Sequence, residues 1–286
     1  FATSEGTERF KNRFEGKTAP GHFRQSQGLW FSSIGAGSYL GDTDEATDRL
    51  YEEGLKEALR LGANVVDSAI NYRCQRSERS FGRALREMIE AGSLHRDEII
   101  LCTKGGFIPF DSSYASDPSA YFQKTYIESG ILSLQDVVQG CHAMTSRYLE
   151  DQLERSLENL GVETLDIYYL HNPETQLAEI DLKEFLKRLR AAFEFLEKKA
   201  KEGKIRFYGL ATWNGFRISP QSRDALSLQD IHILAREAGG TGHHFKAVQL
   251  PINLAMPEAW GLKNQKYGAS FVSFLEIARK LEMVTI

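Results

Sequence analysis

Short apolar runs and amphipathic stretches alternate along most of this chain. Runs rich in β-branched and aromatic residues fall at residues 33–38, 64–69, 98–104, 164–171, 205–212, 247–254 and 283–286. Several are almost continuously hydrophobic, such as Ile99-Ile100-Leu101 and Ile167-Tyr168-Tyr169-Leu170, the pattern of parallel strands covered on both faces. Between them, residues 44–61 carry Leu50, Leu55, Ala58 and Leu59 at helical spacing and stop at Gly62. Residues 77–91, 148–160 and 182–202 likewise stop before Gly92, Gly161 and Gly203. Glycine ends a helix readily because it adopts the left-handed conformation without a steric penalty. Strand and helix in turn predict an α/β protein built on a parallel sheet.

Two layouts of such a sheet compete. A doubly wound dinucleotide-binding sheet should open with G-x-G-x-x-G between its first strand and helix. Here Gly35, Gly37 and Gly41 place the third glycine one position late, and the helix starts only after it. A (β/α)8 TIM barrel instead gathers functional side chains at the C-terminal ends of several different strands. Asp67, Lys104, His171, Thr212 and Gln249 each stand at or near the end of a different apolar run, which favours the barrel. One stretch breaks the repeat: residues 106–147 contain Phe107, Phe110, Tyr114, Tyr121, Phe122 and Tyr126. A loop that long inside a compact domain reads as a lid or binding insertion after the third strand, or as an aromatic-stitched surface insertion.

Composition narrows the function classes. A formal charge of -4, with basic residues interspersed among acids, does not suit a nucleic-acid surface. No apolar run approaches the ~20 residues of a membrane helix. Cys74, Cys102 and Cys141 are too few and too scattered for a disulfide framework or a zinc site. That usage fits a reducing cytoplasm. At 286 residues the chain has the length of one barrel domain. The last apolar run is the seventh, so a closed barrel requires an eighth β/α unit beyond Ile286.

Three of the strand-end residues, Asp67, Lys104 and His171, carry chemistry together with Tyr72, which follows the second strand. Taken singly, Asp67 could cap a turn, Tyr72 could pack, Lys104 could snorkel to water and His171 could be a satisfied structural histidine. Their convergence on one barrel mouth is the informative feature. The set resembles that of the aldo-keto reductases, whose carbonyl reduction needs a proton for an oxygen on which negative charge develops and requires no metal. A lysine ammonium about 4 Å from a phenol oxygen favours the phenolate by about 4 kcal/mol at an effective dielectric near 20. Lys104 is therefore expected to lower the Tyr72 pKa against the opposing effect of burial. Asp67 would hold Lys104 charged, and His171 would orient the carbonyl.

With these residues the chain resembles the aldo-keto reductases. Asp67-Ser68-Ala69-Ile70-Asn71-Tyr72 matches the family's D-x-A-x-x-Y, and Lys104 and His171 follow the third and fourth strands as in the family. Gln75-Arg76-Ser77-Glu78 belongs to the same resemblance. Tyr169-Leu170-His171-Asn172-Pro173-Glu174 is similar to a subgroup of bacterial and lower-eukaryote members. The resemblance implies Tyr72 as proton donor and NADPH as cofactor, with NADH left open. It also implies a small aldehyde or ketone as substrate. Ser38, Tyr39, Asp67, Thr212, Trp213 and Gln249 would border the cofactor, although Ala211-Thr212-Trp213 stands where the family often has Ser-Asn. Two other functions stay open. One is a cofactor-binding regulatory subunit on the same fold with little turnover. The other is a lyase using Lys104 as a Schiff base, which would need a low-pKa lysine.

Overall fold

In the computed structural model, which describes residues 1–286, the first elements are a helix and a hairpin that the hydrophobic pattern does not predict. They are α1 (Ser4–Arg13), β1 (Phe23–Ser26) and β2 (Leu29–Ser32). The sequence of α1 is too polar to read as a core helix, yet Phe10 is buried and Thr3 caps its start. Asp166, wholly buried on the fourth predicted strand, accepts the Ala2 N–H at 2.6 Å. Trp30 N–H donates to Thr7 Oγ1 at 3.1 Å, which ties the hairpin to α1.

The predicted alternation then follows. The strands are β3 (Gly35–Gly37), β4 (Val65–Asp67), β5 (Ile100–Gly105), β6 (Leu165–His171), β7 (Ile205–Ala211) and β8 (Phe245–Gln249). A second hairpin, β9 (Gln265–Tyr267) and β10 (Ser270–Val272), precedes the last strand, β11 (Val284–Thr285). The main helices are α2 (Glu45–Arg60), α3 (Arg76–Glu90), α4 (Pro118–Phe122), α5 (Ser146–Leu160), α6 (Leu182–Lys201), α7 (Leu228–Gly239), α8 (Glu258–Gly261) and α9 (Phe274–Lys280). Strand β8 starts earlier and stops sooner than the pattern suggests. Pro251, which has no N–H for a ladder, follows its end closely.

Seven strands form one parallel sheet in the order β11-β8-β7-β6-β5-β4-β3. The sheet curls into an α/β barrel wall. Its two edge strands, β3 and β11, line the same cleft of about 690 Å³, with β1 at one side. No helix is long and apolar enough to cross a membrane.

Alternation along the strands sorts the side chains into two cores. Val65, Ile100, Cys102, Ile167, Tyr169, Ala211 and Ala247 pack together with Leu29 and Phe31 inside the curl. Val66, Leu101, Tyr168, Leu170, Leu210 and Val248 face outward into the larger core under the helices. Because the period is two, the inward rows end on Asp67, Lys104, His171 and Gln249. The register places Asp67 opposite Cys102, Lys104 opposite Tyr169, His171 opposite Ala211 and Ala211 opposite Gln249. Residues 106–147 build a small core of their own, in which Tyr126, Leu132 and Ala143 are buried against Tyr148 of α5.

Candidate active site

The inward rows meet at the C-terminal ends of the strands. There Lys104, only 1% exposed, donates to Asp67 Oδ2 at 2.6 Å and to the Ser68 carbonyl at 2.7 Å. Its ammonium lies 4.9 Å from the centre of the Tyr72 ring. Burial works against the charge on Lys104, but Asp67 and Tyr72 outweigh it and raise its pKa. The lysine therefore stays an ammonium.

Tyr72 reaches this position through an unusual turn. Arg73, Cys74 and Gln75 follow it with φ of 49°, 55° and 69°, three successive left-handed residues, none of them glycine. Each such conformation costs of order 1–3 kcal/mol and persists only where the surroundings hold it. Arg73 supplies that hold from a buried position, donating to the Asp42 carbonyl at 2.7 Å and to Asp48 Oδ1 at 2.7 Å. Gln75 adds a bond to the Phe110 carbonyl at 3.0 Å. The turn reverses the chain into α3.

The expected fall in the Tyr72 pKa does not occur. Burial is the largest influence and raises it; the charge of Lys104 lowers it, and Asp67 raises it again. Desolvation outweighs the pull of Lys104, because the fold encloses the ring. Tyr72 is consequently a phenol at neutral pH with a cation beside it. His171 packs edge-on to Tyr72 at 5.7 Å between ring centres. Burial, then the charge of Lys104 and the neighbouring His142, push its pKa well below the ordinary value, so the imidazole is neutral.

Tyr72 and His171 line a cleft of about 530 Å³ with Tyr39, Phe107, Thr212, Trp213 and Gln249. Four of the residues expected beside the cofactor therefore share one cavity with two of the four catalytic candidates. Asp67 and Lys104 lie outside that lining, and Asp67 borders the cleft between the sheet edges. Ser38 is placed differently. It is buried, with its hydroxyl on Ser68 Oγ at 2.9 Å and the Asp67 carbonyl at 3.4 Å, so it braces β4 from behind. Of the aromatic side chains after β5, Phe107 enters the cleft, whereas Phe110 packs on Tyr114 and Tyr121.

Two contributors were not visible as site residues in the sequence. Glu174, buried after β6, accepts the backbone N–H groups of Trp213, Asn214 and Gly215 at 2.7, 3.1 and 3.3 Å. It fixes the turn that presents Thr212 and Trp213. Burial raises its pKa against the lowering effect of those N–H groups. His142, also buried, reaches the His171 carbonyl with Nε2 at 2.8 Å. In the sequence, Glu174 stands out only as the end of Tyr169-Leu170-His171-Asn172-Pro173-Glu174, and nothing marks His142.

Asp67 Oδ1, Asn71 Oδ1, His171 Nδ1 and Thr212 Oγ1 are buried without a protein hydrogen-bond partner. Native proteins rarely leave such atoms unpaired, and several at one mouth mark a place for a polar ligand. A profile of the aldo/keto reductase family matches residues 33–220. The chain belongs to this family. Among its relatives, L-glyceraldehyde 3-phosphate reductase of Escherichia coli is 31% identical over 119 residues, 41% of this chain and 26% of that protein. A protein proposed as a voltage-gated potassium channel subunit beta in Schizosaccharomyces pombe is 26% identical over 206 residues, 72% of this chain and 48% of its own length. The chain thus spans between a quarter and a half of the length of these two relatives. The solved aldo/keto reductase of Klebsiella pneumoniae in complex with NADP and acetate superposes with a TM-score of 0.53 at 19% identity, covering 91% of this chain and 64% of its own. That likeness supports the barrel fold.

Proposed function

We propose that this aldo/keto reductase reduces a small aldehyde or ketone, with Tyr72 giving the proton. The observation that carries the reading is the buried Lys104–Asp67 pair under the Tyr72 ring at the rim of a cleft shared with neutral His171. The raised pKa keeps the Tyr72 proton in place until a stronger base, the developing alkoxide, is presented to it. When it leaves for the substrate oxygen, the ammonium of Lys104 stabilises the phenolate that remains. Asp67 keeps Lys104 charged and aimed. His171 is neutral, so it orients the carbonyl without adding a second positive charge.

The unpaired Thr212 hydroxyl, the half-buried Gln249 amide and the exposed faces of Tyr39 and Trp213 suit a nicotinamide dinucleotide. When bound, the nicotinamide supplies the hydride. Thr212 and Gln249 would hold its polar edge, and Trp213 and Tyr39 its flat faces. We assign NADPH as the cofactor, with NADH as the comparison to be measured. A Schiff-base lyase is disfavoured, because Lys104 is held protonated.

The test is cofactor titration by quenching of tryptophan fluorescence, followed by turnover of a carbonyl panel with wild type and Tyr72→Phe. The reading expects micromolar NADPH binding in both, with reduction lost only in the variant. Retention of more than a tenth of the rate by Tyr72→Phe would remove the phenol from the mechanism. Binding without any turnover by wild type would favour a regulatory subunit instead.

A further inference from the structure

His171 closes β6, and its main chain is held unequally from its two sides. On the β7 side it pairs with Ala211, and the Asn172 N–H continues to the Ala211 carbonyl at 2.6 Å. On the β5 side, pairing stops one residue earlier at Gly105 opposite Leu170. The next hydrogen bond there comes from a side chain. His142 Nε2 lies 2.8 Å from the His171 carbonyl. His142 belongs to residues 106–147, is 1% exposed and sits in a bridge opposite Phe107. The Phe107 ring stands between the two imidazoles, 5.1 Å from each and nearly perpendicular to both. Gly106 lets the ring approach: it has φ of 141°, and a Cβ there would lie 2.7 Å from His142 Nε2 and 3.1 Å from the His171 carbonyl oxygen.

The protons along this contact are fixed from both ends. Arg188 on α6 donates from Nη1 to Gln176 Oε1 at 2.8 Å, and a guanidinium can only donate. The Gln176 amide nitrogen therefore faces His142, at 2.9 Å from Nδ1 and 3.1 Å from the His142 carbonyl. Nδ1 must accept, so the ring proton is on Nε2 and points at a carbonyl that can only accept. Three polar side chains thus run from an arginine outside the cleft to the backbone of the histidine inside it.

We propose that His142 is a positioning residue for His171, its Nε2–H tautomer set by Gln176 and Arg188, so that the segment after β5 fixes the imidazole at the cleft. The proposal rests on the reductase reading for its kinetic consequence, and on geometry alone for its tautomer. His142 reaches no cleft lining, so its removal acts through His171 and leaves cofactor affinity unchanged.

Two measurements on the full chain decide it. Long-range ¹⁵N–¹H NMR of the imidazoles should show His142 of wild type as the Nε2–H tautomer at pH 7; an Nδ1–H ring or an imidazolium overturns the proposal even if no variant folds. Arg188→Met should then shift His142 away from that tautomer and perturb the His171 resonances, with Arg188→Lys restoring both because it also can only donate. In turnover, His142→Phe, which keeps the ring packing and removes the donor, should lower kcat about tenfold with the NADPH Kd within about twofold, the scale of one buried neutral hydrogen bond. Equal kcat in His142→Phe, or parallel loss of kcat and cofactor binding, refutes positioning. A wild type that reduces nothing rejects the reductase reading alone, since the NMR result still decides the placement of His171.

Discussion

Replacing Lys104 with Met separates the structural from the chemical role of the buried pair. The ammonium is 1% exposed and 2.6 Å from Asp67, whose side chain is 19% exposed. Removing one member of such a pair strands a charge, at a cost of ~3–5 kcal/mol when both are buried. Asp67 retains some contact with water, so Lys104→Met should lose about 3 kcal/mol. With a urea slope of about 3 kcal/mol per M, the unfolding midpoint falls by about 1 M. The double variant Asp67→Asn/Lys104→Met removes the stranded charge and should recover about 2 kcal/mol of that loss. Urea denaturation followed by far-UV circular dichroism reads all three proteins, and turnover is measured beside it. Carbonyl reduction should stay lost in both variants, because Tyr72 lacks its cation in each. A single variant as stable as wild type, or a double variant less stable than the single, would show that Asp67 is not an uncompensated charge without Lys104.

Further outcomes follow from the same side chains. The rate of carbonyl reduction, measured by stopped flow between pH 5.5 and 9, should show no inflection near ~6.5, the ordinary histidine pKa. Burial, Lys104 and His142 keep His171 neutral throughout; a clear inflection there contradicts that state. Burial also lowers the His142 pKa to about 4, with its bond to the His171 carbonyl pulling the other way. The unfolded chain takes up a proton near pH ~6.5 that the native protein refuses until about pH 4, so stability falls as the pH drops through this window. The loss from this group is roughly 3 kcal/mol, and urea curves at several pH values should show a shallower acid loss in His142→Gln. Glu174→Gln keeps an oxygen acceptor for the three N–H groups and should bind NADPH nearly as wild type does. Glu174→Leu should weaken that binding by about tenfold or more, the cost of leaving buried donors unpaired; equal Kd values for the two variants would dissociate Glu174 from the cofactor. Gly82→Ala on α3 would bring a Cβ within 2.5 Å of the Asn159 carbonyl on α5, and a melting experiment should register a loss of ~1–3 kcal/mol.

The order of strands and helices, the parallel sheet and the residues that end the strands are all consequences of local periodicity. Two-residue alternation carries Ile100, Cys102 and Lys104 to one face and Leu101 and Thr103 to the other, whatever the rest of the chain does. That is why Asp67, Lys104, His171, Thr212 and Gln249 could be singled out at the ends of apolar runs before their neighbours were known. Helix α1 escaped because its burial depends on the hairpin and residues 96–98 packed against it more than on its own pattern. The Tyr72 pKa escaped because desolvation sums over everything that encloses the ring, whereas the pull of Lys104 can be written from one pair. His142 and Glu174 escaped for a related reason. Their partners are His171 and residues 213–215, far along the chain and joined only through hydrogen bonds that no spacing encodes. Sequence set which side chains face the barrel interior, through a repeat of two residues. Tertiary structure decided their charge and their aim, because solvation and hydrogen-bond direction depend on distances that exist only after folding.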